Sequence, residues 1–96
     1  MQLIDWKLPS DVRVIPEDIK AGFAELSKTM HGVQLLPDLL CAQKDLPSGT
    51  KYIVICRRKF TDIPAHDAVV KVVALKAKDG KFRIFSSEEI VVDDLA

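Results

Sequence analysis

Hydrophobic residues between positions 16 and 31 recur at helical spacing. The apolar positions are Ile19, Phe23, Leu26 and Met30, separated by four, three and four residues. A helix would align them on one stripe. Pro16 suits the first turn of a helix, and Gly32 suits the position just past its end. The pattern predicts one amphipathic helix over residues 16–31 with its apolar stripe buried.

After Gly32 the pattern changes to that of β-strands. Residues 33–44 are apolar but include Pro37, which cannot donate a ladder hydrogen bond, so we expect a bulge or a free edge there. Residues 52–56 are rich in strand-forming side chains. Between these segments, the stretch Leu46-Pro47-Ser48-Gly49 has proline second and glycine fourth, as a type I turn prefers. The sequence predicts a long hairpin, and we interpret this turn as a strand reversal rather than a working edge.

A second hairpin is predicted around Asp79-Gly80. This pair favours a tight turn, and it lies between residues 68–75 and 82–85, which have strand-forming composition. A two-residue loop would set Lys76 opposite Arg83, and like charges directly opposite each other are unfavourable. We therefore expect a bulged register or a longer loop.

The third predicted strand is apolar on both faces. Val70, Val72 and Ala74 point one way. Val69, Val73 and Leu75 point the other way. One face is expected to pack on the helix, while the other has no predicted cover, which indicates a protein partner or self-association through the sheet. The predicted fold class is α+β, with one N-terminal helix packed on a curved four- to five-stranded antiparallel sheet in a single domain over residues 1–96.

Composition and charge narrow the class of protein. The chain has 96 residues, of which 48% are hydrophobic and 29% are charged, as in ordinary globular domains. Residues 46–85 carry nine Lys or Arg against three Asp, and residues 86–96 carry four acids and no base. This basic excess can attract an acidic partner, or it can simply guard strand edges. The aromatic residues do not alternate with the bases as a stacking platform requires, so we do not expect nucleic-acid binding.

The first residues lack the features of a secretory signal, and no apolar stretch approaches membrane-spanning length. We expect no membrane association and a cytoplasmic location. A secreted protein is the alternative if a leader precedes residue 1.

Cys41 and Cys56 flank the first turn. If Asp45 faces Tyr52 in the hairpin, Cys41 lies opposite Cys56, within reach of a cross-strand disulfide. A register that differs by one residue separates them. The alternative is two free thiols packed as small hydrophobic groups.

Candidate catalytic and metal-binding groups are sparse. Cys56, His66 and Asp67 can be drawn as a nucleophile, base and acid, but their spacing does not support this grouping. The two cysteines and two histidines also lack the short spacing of zinc ligands. The acidic run of Glu88, Glu89, Asp93 and Asp94 is typical of a solvated terminus. We expect no catalytic residues, no metal and no cofactor, and therefore no enzyme.

The order of elements resembles the cystatin-like proteins, in particular small bacterial ones. The resemblance covers roughly residues 6–86, with a tryptophan near the start, one helix and an antiparallel sheet. It is carried by Gly32, Pro37, Gly49, Thr50, Tyr52 and Cys56. Inhibitory cystatins bind proteases with a glycine-containing N-terminal stretch, a Gln-x-Val-x-Gly hairpin and a Pro-Trp hairpin. Here Ile4-Asp5 precedes Trp6, the first hairpin keeps only Gly49, and the second reads Lys78-Asp79-Gly80-Lys81.

The resemblance implies candidate partner-binding residues at the corresponding places. These are Trp6, Leu46, Pro47, Ser48, Gly49, Asp79 and Gly80. Because the charged second tip would resist desolvation, papain-type inhibition is not our first expectation. We predict a non-catalytic domain that binds a protein partner or itself. The alternatives are a divergent cysteine-protease inhibitor and a small-ligand-binding protein with its site between helix and sheet.

Overall fold

The structure is a computed structural model that describes residues 6–60 and 68–90. One helix, α1 (Glu17–Lys28), precedes four strands: β1 (Val33–Leu46), β2 (Gly49–Phe60), β3 (Ala68–Ala77) and β4 (Phe82–Glu89). The strands form one antiparallel sheet in the order β1-β2-β3-β4. The α+β fold class of one helix packed on an antiparallel sheet is confirmed, with four strands.

The helix is shorter than predicted at its C-terminal end. Pro16 occupies the N-cap position, as the sequence suggested to within one residue, but α1 ends at Lys28. The amide of Thr29 donates to the Leu26 carbonyl and that of Met30 donates to the Ser27 carbonyl, so the last turn tightens before Gly32. Gly32 then takes a φ of 71°, which favours glycine and redirects the chain into β1.

The core lies between α1 and the face of the sheet that we call the inner face. Ile19 and Phe23 of the helix are fully buried against strand residues that include Val54, Val70 and Val72. The predicted stripe is therefore only half right: Leu26 is half-buried, and Met30 packs against the core from beyond the helix. The alternation predicted for β3 is correct, since Val70, Val72 and Ala74 all lie in this core.

Two irregularities bend β1. The register shifts between Pro37 and Leu39 and again between Leu40 and Ala42. The first shift confirms the bulge predicted from Pro37. No proline or glycine in the sequence indicates the second shift. It allows Leu40 to lie in the inner core while Ala42 packs on the opposite, outer face of the sheet.

Both hairpins turn at the positions that the sequence predicts. Leu46 pairs with Gly49, so Pro47 and Ser48 form a two-residue loop between β1 and β2. In the second hairpin Lys76 pairs with Phe82 rather than with Arg83, and Gly80 has a φ of 88° in a longer loop. The expectation of a longer loop is correct, because the observed register keeps two like charges apart.

The two edges of the sheet differ. Lys7 and Gln43 exchange two backbone hydrogen bonds of 2.7 and 3.0 Å, and the Leu40 amide donates to the Val12 carbonyl at 2.8 Å. The lead-in segment, residues 6–15, thus covers part of the outer edge of β1. Within residues 6–60 and 68–90, nothing pairs with the outer edge of β4.

Candidate functional site

The hairpin turns proposed as binding tips lie side by side at one end of the sheet. Gly49, next to the first turn, pairs with Ala77, next to the second turn. Trp6 precedes Lys7, which pairs with Gln43 and forms an ion pair of 3.1 Å with Asp45 near the same end. We call this end, formed by the lead-in and the two turns, the tip end. Pro47, Ser48, Asp79 and Gly80 are all exposed there.

Position 49 requires glycine because the backbone of the neighbouring strand lies against it. The φ of Gly49 is 148°, and a methyl group at this position would overlap the Lys76 carbonyl oxygen. A glycine is required where two strands approach this closely. Leu46 is half-buried beside it. These two residues therefore shape the turn, whereas Pro47 and Ser48 present its surface.

Trp6 packs on the outer face. It contacts a small cluster of Ala42, Ile53 and Val73, which are 2%, 7% and 8% exposed. The expectation that this face has no cover is therefore wrong at its centre, since the lead-in folds over it. The alternation of the strands was predictable, but the sequence carries no signal for where the single tryptophan would pack.

Away from that cluster, the outer face remains open toward β3 and β4. Phe85 is 58% exposed and Val69 is 36% exposed. Ile55 and Leu39 are half-buried on the same face, paired with each other across β1 and β2. We call these four residues the outer patch.

Basic side chains surround the outer patch. Lys51 lies over the Phe85 ring, with its Nζ 4.6 Å from the ring centroid. Lys71 pairs with Ile55 in the ladder, and Lys44 pairs with Lys51. Arg57 is neutralised by Asp38, at 2.8 Å between Nε and Oδ2. Glu88 lies opposite Lys71 in the ladder, and Arg83 pairs with Leu75 on the same face. Lys51, Lys71 and Arg83 outnumber this one carboxylate, so the rim has a net positive charge next to exposed apolar groups.

A groove of about 570 Å³ runs along the β4 side of α1. Phe82 forms part of its wall, with its ring stacked on Tyr52 and edge-on to Phe23, each with centroids 6.1 Å apart. The ion pair between Lys76 and Asp18, 2.7 Å from Nζ to Oδ2, links β3 to the first turn of the helix beside the groove. Directly between helix and sheet the core is solid, with Ile19, Phe23 and Val54 all at 0% exposure. This packing counts against a ligand cavity in that space.

The two cysteines are free thiols on different faces of the sheet. Asp45 pairs with Thr50, not with Tyr52, and Cys56 pairs with Pro37. Cys56 is buried in the inner core, while Cys41 packs against the outer cluster of Ala42, Ile53 and Val73. The register that would join them is not adopted, so the proposed Cys41–Cys56 disulfide does not form and the free-thiol alternative holds.

Cys56 is unsuited to nucleophilic chemistry. Burial, and to a smaller extent the nearby Asp38 carboxylate, raises the pKa of the thiol to about 12. A nucleophilic cysteine requires a lowered pKa, so this thiol stays protonated at neutral pH. His66 and Asp67 lie outside the described residues, as do Asp93 and Asp94 of the acidic run.

Residues 6–60 and 68–90 hold no group of three or more His, Cys, Asp or Glu side chains placed to bind a metal ion. No helix among them is long and apolar enough to cross a membrane.

Comparison of the chain with protein-family models, curated proteins and solved structures finds no match. The cystatin resemblance therefore stays a prediction that rests on the order of elements and a few short motifs.

Proposed function

We propose that this chain is a non-catalytic protein-binding domain that uses the outer face of its sheet. The observation that carries the proposal is the outer patch, where Phe85 and Val69 remain exposed on an otherwise well-packed sheet. Exposed apolar groups bordered by charge are typical of protein interaction sites.

The charge around the patch indicates the chemistry of the partner. Lys51 and Lys71 border the exposed apolar groups, and within the described residues no carboxylate forms an ion pair with either. A partner segment with acidic side chains beside one or two apolar anchors would match this surface in both charge and hydrophobicity. The occupant that we propose is such an acidic, apolar segment of another protein.

Peptide selection tests this assignment. Random peptides are selected on the immobilised protein, and the affinity of the enriched sequences is measured by fluorescence anisotropy. We expect sequences that combine Asp or Glu with large apolar residues. Their affinity should fall about tenfold or more with Lys51→Glu, Lys71→Glu or Phe85→Ala.

Two matched charge reversals serve as controls. Lys28→Glu lies on the exposed side of α1, and Lys78→Glu lies at the tip end. Neither should change the affinity of the selected peptides. The proposal is wrong if no peptides are enriched, or if Lys78→Glu weakens binding while the outer-face variants leave it unchanged.

A second candidate function is cysteine-protease inhibition. It is favoured by the tip end, where the lead-in and both turns lie together as an inserting wedge would require. An inhibitor should slow papain in proportion to its concentration, and Asp79→Ala should alter that inhibition because it changes the exposed second turn. Papain activity that is unchanged at high micromolar protein would exclude this candidate.

A further inference from the structure

The open edge of β4 has opposite charges near its two ends. Arg83 lies near the start of the strand and Glu88 near its end. Arg83 pairs with Leu75 and Glu88 with Lys71, which places both side chains on the outer face. Within residues 6–60 and 68–90, neither side chain forms an ion pair. A copy of the strand running antiparallel would reverse the order of the charges.

We propose that two copies of this chain associate through their β4 edges, in the antiparallel register that sets Arg83 of each copy opposite Glu88 of the other. Two sheets then continue into one, related by a two-fold axis. This goes beyond the proposed function, because it uses the backbone edge of β4 together with the outer-face side chains beside it and names a second copy as the occupant.

The backbone of β4 independently supports this register. The Ala77 amide donates to the Lys81 carbonyl, and the Ile90 amide donates to the Val69 carbonyl. Along a strand, the amide and carbonyl of successive residues point alternately toward one neighbouring strand and away from it. These two bonds therefore identify the residues of β4 whose backbone groups point inward, toward β3, and those whose groups point outward, away from it. The register shift between Val73 and Ala74 leaves Phe85 as the bulged residue, so the alternation skips one position there.

The outward-pointing amides and carbonyls therefore belong to Phe82, Ile84, Ser87 and Glu89. When Arg83 faces Glu88 of the second copy, Ile84 faces Ser87 and Phe82 faces Glu89. The charge pairing and the backbone pairing thus select the same register. The paired side chains also lie on the same face of the sheet. Ile84 and Ser87 are both on the inner face, because they pair with Ala74 and Val72 of the inner core.

This register also accounts for the exposed aromatic ring at the bulge. Phe85 is 58% exposed in the single chain and would lie beside the two-fold axis, next to Phe85 of the second copy. Arg83 and Glu88 would occupy a non-hydrogen-bonded position, where opposite side chains approach most closely. A parallel arrangement in register would instead set Arg83 against Arg83 and Glu88 against Glu88, which repel.

A charge-swap experiment tests the register directly. The interface is small, so we expect a dimer of twice the 10.7 kDa chain mass that dissociates on dilution over roughly 10 µM to 1 mM. Sedimentation velocity follows the mass over this range. Arg83→Glu alone and Glu88→Arg alone should each be monomeric. Mixed together they should form a heterodimer, because the altered charges are again complementary, and the double variant should dimerise with itself.

A backbone variant provides the second test. Ser87→Pro removes an outward amide but leaves the inward bonds to β3, so it should abolish the dimer with the circular dichroism spectrum unchanged. If this variant fails to fold, the charge-swap mixture decides alone. The proposal is wrong if the unaltered chain is monomeric at about 1 mM, if the two charge variants do not recover a dimer on mixing, or if they dimerise separately. Peptide binding to the outer face by a monomeric variant would show that the proposed function stands without the dimer.

Discussion

Gly22 of α1 lies directly against the Phe82 ring of β4. A methyl group at this position would overlap the Phe82 ring, and that ring is held between Phe23 and Tyr52. The absence of a side chain at position 22 therefore allows the aromatic cluster to seat against the helix. The sequence pattern does not show this requirement, because a glycine inside a helix normally indicates only a weak point.

We expect Gly22→Ala to destabilise the protein, although alanine is the better helix former. Overpacking against a fixed ring costs about 1–3 kcal/mol, which exceeds the gain of about 1 kcal/mol in helix propensity. Urea unfolding measures the difference. In a Phe82→Ala background the ring is gone, so the same substitution should become stabilising. Equal destabilisation in both backgrounds would contradict the proposed contact.

Cys56 gives the stability of the protein a dependence on alkaline pH. The thiol has an ordinary pKa near 9 and a folded-state pKa of about 12. Between these values the unfolded chain releases the proton while the folded chain keeps it. The free energy of unfolding should therefore be unaffected by this group below pH 9. It should fall by about 1.4 kcal/mol per pH unit as the pH rises above that value.

Urea unfolding across this pH range measures that slope. Cys56→Ala should reduce it, because the buried thiol is then absent. Identical slopes in the unaltered protein and in Cys56→Ala would show that the buried thiol does not cause the pH dependence.

At the scale of elements, side-chain periodicity located the helix and the strands, but their ends and registers depended on local hydrogen bonds. The spacing of Ile19 and Phe23 correctly placed α1 on the sheet. The helix end was missed because Thr29 closes the last turn, with its hydroxyl donating to the Leu26 carbonyl at 2.7 Å. The register around the cysteines was missed because Pro47 and Ser48 form a two-residue loop, which pairs Asp45 with Thr50 instead of Tyr52. The bulge between Leu40 and Ala42, which has no sequence signature, then shifts the pairing once more.

Ser27 joins α1 to β1 through a single hydroxyl. Its Oγ donates to the Phe23 carbonyl at 2.8 Å and accepts from the Leu35 amide at 3.0 Å. Leu35 is only 4% exposed, and its bond to the serine hydroxyl is partly buried. The contact therefore fixes the position of the helix relative to the edge strand.

We expect Ser27→Ala to cost about 1–3 kcal/mol, because it leaves a buried amide without an acceptor. Thermal or urea unfolding measures the loss. Thr29→Ala is the matched control: its hydroxyl is also bonded to a helix carbonyl, but the residue is exposed, so the change should stay within about 0.5 kcal/mol. A similar loss in the two variants would argue that only helix capping is affected.

At the scale of the whole molecule, the two faces of the sheet are covered by different parts of the chain. The helix covers the inner face, as the sequence predicted, and the lead-in covers the centre of the outer face through Trp6. The second cover was not predictable, because one tryptophan in an irregular segment has no periodicity to assign it a face. The candidate site was predictable only in outline: two-sided apolar strands indicated an interaction surface, but not that it would lie around Phe85.

Trp6→Ala should uncover the cluster of Ala42, Ile53 and Val73. We expect a loss of about 2 kcal/mol in the free energy of unfolding, because the tryptophan is half-buried rather than fully buried. Circular dichroism follows unfolding, since the substitution removes the only tryptophan, and binding of a hydrophobic dye should increase. Leu8→Ala is the control: the side chain is 68% exposed, so neither quantity should change. Unchanged dye binding in Trp6→Ala would contradict the assigned cover.

The pairing of the lead-in with β1 limits how far association could proceed. A sheet with two bare edges can add copies without end and so form fibres. Here the hydrogen bonds between Lys7 and Gln43 occupy part of the β1 side and hinder a second copy from pairing along it, whereas the described residues leave the β4 side bare. Pairing of two molecules would occupy the β4 side of both, and the assembly would stop at a closed pair.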